Sequence, residues 1–306
     1  MNTMNHRKRI TTVCLFAVSL IVLYCNNILA AEAPGPQRVV SLAPSVTETL
    51  FALGFGDRLV GVTTYCDYPL EARRLPKIGG FMNPSLEAIV DKKPDVVIGV
   101  NTATDPAKAR EMERLGLKVN LISVASVNDI LAGIKSVARL MGSSEAGEKL
   151  VLKIERQFNQ VKKRVAPAPR RSTLLVVGLR PLVAVGGKNF IDELITLAGG
   201  DNIAGNAAQP WLNLPDEYVV AKAPQVIIEA GMGSERAASA QHWVDLKSIP
   251  AVKEGRVYSY PSDKILRPGP RVGEGLEEIA RMVHPECFAE SKPGLKRRNG
   301  CEGSRP

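Results

Sequence analysis

The sequence is poor in the residues that build metal and redox sites. It has five cysteines and three histidines among 306 residues, and neither a Cys-x-x-Cys nor a His-x-x-x-His spacing occurs. A structural zinc site therefore has almost no ligands to use. A Ser-His-Asp triad has few ways to assemble, because LAPSV around Ser45 is no Gly-x-Ser-x-Gly motif. No catalytic residue is predicted, and Ser45 is expected to cap the helix that it opens.

Glycine-rich nucleotide-binding motifs are also missing. The segments GFGDR at Gly54 and GMGSE at Gly231 contain Gly-x-Gly without a third glycine, and VGGKNF lacks the Walker spacing. Turns and helix ends explain these glycines. The net charge is +9, but no strand alternates basic and aromatic residues as an RNA-recognition sheet does. Neither nucleotides nor nucleic acids are predicted as ligands.

The longest apolar run lies within the first thirty residues. MNHRKR is a positive n-region, ITTVCLFAVSLIVLY is an apolar core, and small residues follow near Ala30 and Ala31. This order is typical of a cleaved export signal, so residues 1–31 are predicted as a signal peptide and the periplasm as the location. Two alternatives remain open. One is a permanent membrane anchor, although an anchor needs about 20 apolar residues. The other is lipid modification of Cys25, although Tyr24 is bulky and stands where a lipobox has a small residue.

Export leaves an odd number of cysteines. Cleavage removes Cys14 and Cys25, so Cys66, Cys287 and Cys301 remain in a compartment that permits disulfides. A Cys287–Cys301 disulfide is the favoured pairing because it would tie down the C-terminal tail. Cys66 is then predicted to be a lone thiol.

Short β-branched runs alternate with helical patterns in both halves of the chain. In the first half RVVSL, LVGVTT, PDVVIGV and KVNLISV are separated by helical segments, and from Ser172 the alternation resumes with TLLVVGL and PLVAVGG. Strict alternation implies right-handed crossovers and a mainly parallel sheet with helices on both faces. The predicted fold class is α/β, with two Rossmann-like lobes and a cleft between them.

A long amphipathic helix joins the two halves. SEAGEKLVLKIERQFNQVKKRV places Leu150, Ile154, Phe158 and Val161 at three- and four-residue steps, and APAPRR ends it. Roughly 22 residues at a rise of about 1.5 Å each give a stiff spacer about 30 Å long. The predicted organisation is a signal peptide (1–31), an N-terminal α/β lobe (32–142), the connecting helix (143–168), a C-terminal α/β lobe (169–288) and a flexible basic tail (289–306).

The two halves also repeat each other. SLEAIVDKKPDVVIGV from Ser85 and PDEYVVAKAPQVIIEA from Pro215 place glutamates, valines and prolines in step. Packing of a helix onto a strand explains the apolar positions and the prolines, but it leaves Glu87 and Glu217 unexplained. Each lies early in its helix, where a carboxylate gains about 0.3–1 kcal/mol from the helix dipole. The symmetry favours the alternative that these acids bind basic residues of a partner.

Aromatic residues stand in loops after predicted strands, in a chain with only 5% aromatics. TTYCDYP carries Tyr65, GGFMNP carries Phe81 and AQPWLNLP carries Trp211. Such residues are flat platforms for a large planar ligand, with core or surface packing as the alternative for each. SYPSDKILRPGPR adds Asp263 and Arg267, and arginine can fork onto amides, carboxylates or phosphates. A surface salt bridge is the alternative for this pair.

Taken together, these stretches resemble the periplasmic substrate-binding proteins of cobalamin ABC importers, within the siderophore, haem and cobalamin binding class. The resemblance covers about Arg38 to Cys287 and rests on RVVSLAPSVTETLFALG, TTYCDYP, NPSLEAIVDKKPDVVIGV and GGDNI. It implies the class III type of periplasmic binding protein, in which two Rossmann-like lobes with mainly parallel sheets are joined by one long backbone helix. It also implies that no cofactor resides in the protein, because cobalamin is the transported ligand held in the cleft.

Carried over position by position, the resemblance implies roles for particular residues. Those implied to contact the ligand are Tyr65, Phe81, Trp211, Asp263 and Arg267, and those implied to dock on arginines of the membrane permease dimer are Glu87 and Glu217. Phe81 stands where the cobalamin binder has tryptophan, and Lys264, Ile265 and Leu266 replace an aromatic and acidic stretch. The predicted function is that of a monomeric, non-catalytic exported receptor that delivers a corrinoid to an ABC importer. A ferric siderophore or haem receptor, and a metallocofactor enzyme subunit, remain as alternatives.

Overall fold

The computed structural model describes residues 35–230, 242–243, 245–260 and 263–289. The predicted signal peptide with Cys25, the basic tail after Ala289, and Cys301 of the predicted disulfide lie outside these residues. The predicted domain boundaries stay predictions. Within the described residues, no helix combines the length and the apolar character that crossing a membrane requires.

The first lobe contains a four-stranded parallel sheet. Its strands are β1 (Val39–Ser41), β2 (Leu59–Val62), β3 (Val96–Val100) and β4 (Val119–Ile122), in the order β2-β1-β3-β4. Every pairing in this sheet is parallel, as the alternation of strands and helices predicts. The helices of this lobe are α1 (Pro44–Ala52), α2 (Leu86–Asp91), α3 (Pro106–Arg114) and α4 (Val127–Leu140).

The start of α1 corrects one prediction. The N-cap is Ala43 and Pro44 is the first helical residue, where the missing N–H of proline costs no hydrogen bond. Ser45 therefore lies inside the first turn, and its carbonyl oxygen accepts a hydrogen bond from Thr49 Oγ1 at 2.7 Å. The prediction that Ser45 caps this helix is wrong because the helix begins before it.

One helix of 22 residues, α5 (Ser144–Val165), follows the first lobe, as predicted. Its buried residues are spaced three and four apart along one face: Gly147, Val151, Ile154, Phe158, Val161 and Val165. Helix α4 packs on α5, and so does the C-terminal helix α9 (Val272–Val283). One cluster of buried hydrophobic residues therefore runs from the first lobe through α5 into the second lobe, and each lobe has a further cluster of its own.

The second lobe is built on a mixed six-stranded sheet. Its strands are β5 (Arg171–Leu179), β6 (Leu182–Val185), β7 (Gly200–Asn202), β8 (Trp211–Asn213), β9 (Val226–Glu229) and β10 (Val257–Ser259). The order is β10-β9-β5-β6-β8, and β7 also pairs with β5. The remaining helices are α6 (Phe190–Leu197), α7 (Asp216–Lys222) and α8 (Pro250–Lys253).

Strict alternation fails at the start of this lobe. Strand β6 is antiparallel to both β5 and β8. Strand β5 pairs in parallel with β7 and with β9, and β9 pairs in parallel with β10. Only Arg180 and Pro181 separate β5 from β6, and so short a connection makes a hairpin because a parallel crossover needs a dozen or more residues. The two-lobe α/β fold on one long helix is confirmed, with a mixed second sheet.

Cys66 is a buried thiol of the first lobe. Thr47 Oγ1 donates to its Sγ at 3.1 Å, and Thr63 Oγ1 lies 3.2 Å from the same atom. The thiol is free, in agreement with the prediction. Its surroundings are those of a packing residue.

Candidate functional site

The two lobes meet at a network of charged side chains, which we call the junction network (Glu48, Asp67, Asp263, Arg267 and Arg271). Glu48 lies on α1 of the first lobe and is buried. Arg267 Nη1 donates to Glu48 Oε1 at 2.8 Å. Arg271 donates from Nε to Oε2 at 2.7 Å and from Nη2 to Oε1 at 2.6 Å. Bidentate pairs of this kind are strong and directional, so Glu48 ties the segment after β10 to the other lobe.

Two further carboxylates complete the junction network. Arg267 Nη2 lies 2.7 Å from Asp67 Oδ1 and also pairs with Asp263, four residues earlier in the chain. Arg271 Nη2 lies 4.0 Å from Asp263 Oδ1. With every group ionised, three carboxylates face two guanidinium groups, which gives a formal charge of −1. Both arginine charges are therefore already matched within the protein.

The surroundings of the junction network shift the pKa values of three of its members. Burial raises the pKa of Asp263, and the charge of Arg267 offsets this only in part. Burial alone would lower the pKa of both Arg267 and Arg271, but hydrogen bonds to Glu48 and nearby acids raise it above the usual value. The arginines therefore stay charged, and Asp263 is protonated at a higher pH than a free aspartate.

Two exposed tyrosines stand beside the junction network. The guanidinium carbon of Arg271 lies 3.9 Å from the ring centroid of Tyr68, which is a cation–π contact. The carbonyl oxygen of Tyr65 accepts a hydrogen bond from Arg267 Nη2 at 3.2 Å. Both tyrosines follow the carboxyl end of β2. Ligands of parallel sheets bind at that edge, so these rings stand where a ligand between the lobes would meet the first lobe.

Contacts in the structure join three of the five predicted ligand residues. Tyr65, Asp263 and Arg267 meet at the junction network. Phe81 lies at the tip of the loop closed by the bridge between Gly79 and Pro84, and it is partly buried against the first-lobe core. Its ring is therefore shared between the core and the surface.

Trp211 corrects a second prediction, because it lies on a strand and not in a loop. It is exposed on β8, where it is paired with Val185 of β6. Strands β8 and β10 are opposite edges of the second sheet, four strand spacings or about 19 Å apart. Arg267 follows β10, so its segment starts from the edge of the sheet opposite to the strand that carries Trp211.

Sequence patterns alone did not single out Glu48. The signal was present, because PSVTETLFA places this acid in a helix whose neighbouring residues are otherwise small or apolar. A carboxylate buried in such a helix requires a charged partner. The identity of that partner was not readable from the sequence, because Arg267 and Arg271 lie 219 and 223 residues further along the chain.

Glu87 and Glu217 are both exposed, and each lies in the first turn of its helix, as predicted. Helix α2 leads into β3, and α7 leads into β9. In a right-handed crossover the helix runs antiparallel to the strand that follows, so α2 and α7 begin at the carboxyl edges of their sheets. The two glutamates therefore lie on different lobes. Each is at the carboxyl edge of its sheet, where the segments that follow β2 and β10 also lie.

A separate cavity of about 530 Å³ lies between α4, α5 and α6. The N–H of Val127 donates to Glu193 Oε2 at 3.0 Å here, which is a second tie between the lobes. Burial raises the pKa of Asp192 in the cavity wall, and a hydrogen bond from Asn202 offsets this in part. Helix α4 follows β4, at the edge of the first sheet opposite to β2 and its tyrosines. The cavity is therefore distinct from the junction network.

Over most of its length the chain is similar in sequence to known transport proteins. A family model described as periplasmic binding protein matches residues 39–264. The chain belongs to the periplasmic binding protein family. It is 31% identical over 254 residues to a vitamin B12-binding protein of Vibrio campbellii, covering 82% of this chain and 90% of that protein. It is 28% identical over 263 residues to an uncharacterised ABC transporter substrate-binding lipoprotein of Bacillus subtilis, covering 83% and 82%.

Solved structures share the fold. The periplasmic vitamin B12 binding protein BtuF of Vibrio cholerae superposes with a TM-score of 0.74 at 25% identity, covering 84% of this chain and 100% of that one. The periplasmic haem-binding protein RhuT of Roseiflexus sp. RS-1 gives 0.74 at 27%, covering 83% and 100%. These relatives are binding proteins for transport, and the family is extracytoplasmic. This member is accordingly a substrate-binding protein of the ABC importer class that includes them, which confirms the predicted resemblance.

Proposed function

We propose that this protein captures a cobalamin-type corrinoid between its lobes and delivers it to an ABC permease. The observation that carries the choice of ligand is the charge balance of the junction network. Both of its arginines are paired with carboxylates, and its formal charge is −1. Haem propionates and catecholate ferric siderophores are anionic and would need unpaired basic groups, which the junction network does not supply. The amide-rich rim of a corrinoid has no such requirement.

The proposed seat of the corrinoid uses the predicted residues in three ways. Tyr65 and Trp211 are exposed and provide flat apolar walls on the two lobes, with Phe81 adding a partly buried ring on the first lobe. Asp263 accepts hydrogen bonds from the ligand's amide N–H groups. Arg267 holds Asp263 in position and also donates to the first lobe.

Titration calorimetry of the mature protein with cyanocobalamin tests this proposal. We expect a dissociation constant on the order of micromolar or tighter, with one ligand per chain. Haemin and a ferric tris-catecholate siderophore serve as anionic controls and should bind at least about tenfold more weakly. Absence of heat with cyanocobalamin at concentrations on the order of tens of micromolar would refute the ligand assignment.

A haem receptor is the second candidate, and one observation favours it. The exposed Tyr65 carries a phenol that could ligate haem iron, a role that tyrosine fills in some haem proteins. In that case haemin would show a Soret shift with the unchanged protein, and Tyr65→Phe would abolish that shift. Cyanocobalamin would bind to neither protein. If instead the corrinoid proposal holds, Tyr65→Phe keeps the aromatic wall and most of the cyanocobalamin affinity.

Delivery is proposed to use Glu87 and Glu217 as two docking acids for basic residues of the permease dimer. Their exposure and their placement on separate lobes support this role. The double variant Glu87→Ala/Glu217→Ala should leave cyanocobalamin affinity unchanged and weaken the complex with the permease. Equal loss of both would show instead that the glutamates are structural.

A further inference from the structure

The helix that carries each docking glutamate also exposes a valine. Val90 of α2 is 41% exposed, and Val220 of α7 is 38% exposed. Each valine follows its glutamate by three residues, so the two side chains lie on the same helix face. The residues just before the valines, Ile89 and Val219, are fully buried and supply the packing contact of each helix.

The two helices match residue by residue in their exposure. From Ser85 to Asp91 and from Pro215 to Ala221 the order is the same: exposed, partly buried, exposed, partly buried, buried, exposed, exposed. Both helices are followed by a left-handed residue, Lys93 at φ 46° and Ala223 at φ 47°. The same surface unit is therefore presented twice, once on each lobe.

Isolated exposed apolar side chains are common and need no special explanation. The two valines differ because they occupy equivalent positions in a repeated unit whose packing is already satisfied by Ile89 and Val219. Folding therefore does not account for a valine at both places. A partner that contacts both lobes in the same way does account for it.

We propose that Val90 and Val220 are the apolar half of the permease-docking surface, each covered by a small apolar recess beside the basic group that pairs with its glutamate. This inference rests on the proposed docking function. The partner is a two-fold symmetric homodimer, because one patch presented twice fits two equivalent sites. An apolar contact beside each ion pair excludes water and so strengthens the ion pair. Contacts that contribute little energy themselves exclude water around interface hot spots in the same way.

The double variant Val90→Ser/Val220→Ser tests the inference. Binding is measured by interferometry on the cognate permease–ATPase complex held in lipid nanodiscs. We expect docking at least about tenfold weaker, with cyanocobalamin affinity unchanged. The matched control is Leu115→Ser/Leu152→Ser, which alters two leucines that are 55% and 53% exposed outside the repeated unit. This control should dock like the unchanged protein.

The outcomes separate this inference from the docking proposal on which it rests. Val90→Ser and Val220→Ser as single variants should each weaken docking by about the same factor. Normal docking of the valine double variant, together with weak docking of Glu87→Ala/Glu217→Ala, would overturn the inference and leave the glutamates in place. Normal docking of both double variants would overturn the docking proposal as well. Equal loss in the leucine control would show that apolar exposure matters in general, which also refutes a specific valine contact.

Discussion

The two lobes share one repeated helix-to-strand unit and differ around the proposed cleft. This difference separates two proposed functions, docking on a partner and binding a ligand. The unit with Glu87 or Glu217 is the same in both lobes down to the exposure of each residue. Around the proposed cleft the lobes differ: one supplies Glu48, Asp67 and two tyrosines, and the other supplies Asp263, two arginines and an edge-strand tryptophan. A duplicated surface suits a symmetric partner, whereas an asymmetric cleft suits an asymmetric ligand.

The largest effect should come from breaking the tie between the lobes at Glu48. Glu48→Gln removes the charge that faces Arg267 and Arg271, and removal of one partner from a buried ionic group costs about 3–5 kcal/mol. We expect urea denaturation followed by circular dichroism to show a loss of that size. Glu87→Gln alters an exposed acid of the same lobe and should stay within about 0.5 kcal/mol. A similar, small change in both variants would contradict a structural role for the junction network.

An intermediate effect should come from the aromatic walls on the two lobes. Tyr68 is backed on one side by Arg271 and is exposed elsewhere, so we expect it to act with Tyr65 as part of the first-lobe wall. Tyr68→Ala and Trp211→Ala should each weaken cyanocobalamin binding by about tenfold, whereas Tyr68→Phe and Trp211→Phe should retain most of the affinity. Calorimetry checks both pairs. Loss in one lobe only would show that the ligand rests on that lobe alone.

The smallest effect is a dependence of stability on pH that has opposite signs in the two lobes. Burial raises the pKa of Asp263 above its ordinary value of 3.8. Just above pH 3.8 the folded chain therefore binds more protons at this site than the unfolded chain, and the contribution of Asp263 to stability decreases as pH rises. Hydrogen bonds from the backbone N–H groups of Arg38 and Gln37 lower the pKa of Asp95 in the first lobe. That contribution is present at neutral pH and is lost as pH falls through the lowered pKa.

Unfolding free energies of Asp263→Asn and Asp95→Asn, measured from about pH 3 to pH 6, check these signs. The stability of the unchanged protein relative to Asp263→Asn should fall as pH rises, and relative to Asp95→Asn it should increase. Parallel trends in the two variants would contradict the assigned causes of the shifts.

Much of the architecture could be predicted because its signals are local. Helix α5 was predicted from spacing and from the prolines that follow it, and Glu87 and Glu217 were predicted to lie early in their helices. Packing was expected to explain every apolar position of the repeat, but Val90 and Val220 are exposed. The error at Trp211 has a non-local cause. Strand β8 has only three residues and exists through its pairing with β6. No local pattern in AQPWLNLP reports that pairing, so Trp211 was expected in a loop.

The sequence by itself determined the alternating elements, the stiff helix between the lobes and the repeated unit with its two glutamates, because these depend on residues a few positions apart. It also placed Asp263 and Arg267 on one short segment. Only the tertiary structure decided what that segment does, because the carboxylate that Arg267 meets, Glu48, lies 219 residues earlier in the chain. Burial and charge pairing depend on distance in space, and spacing along the chain does not encode that distance.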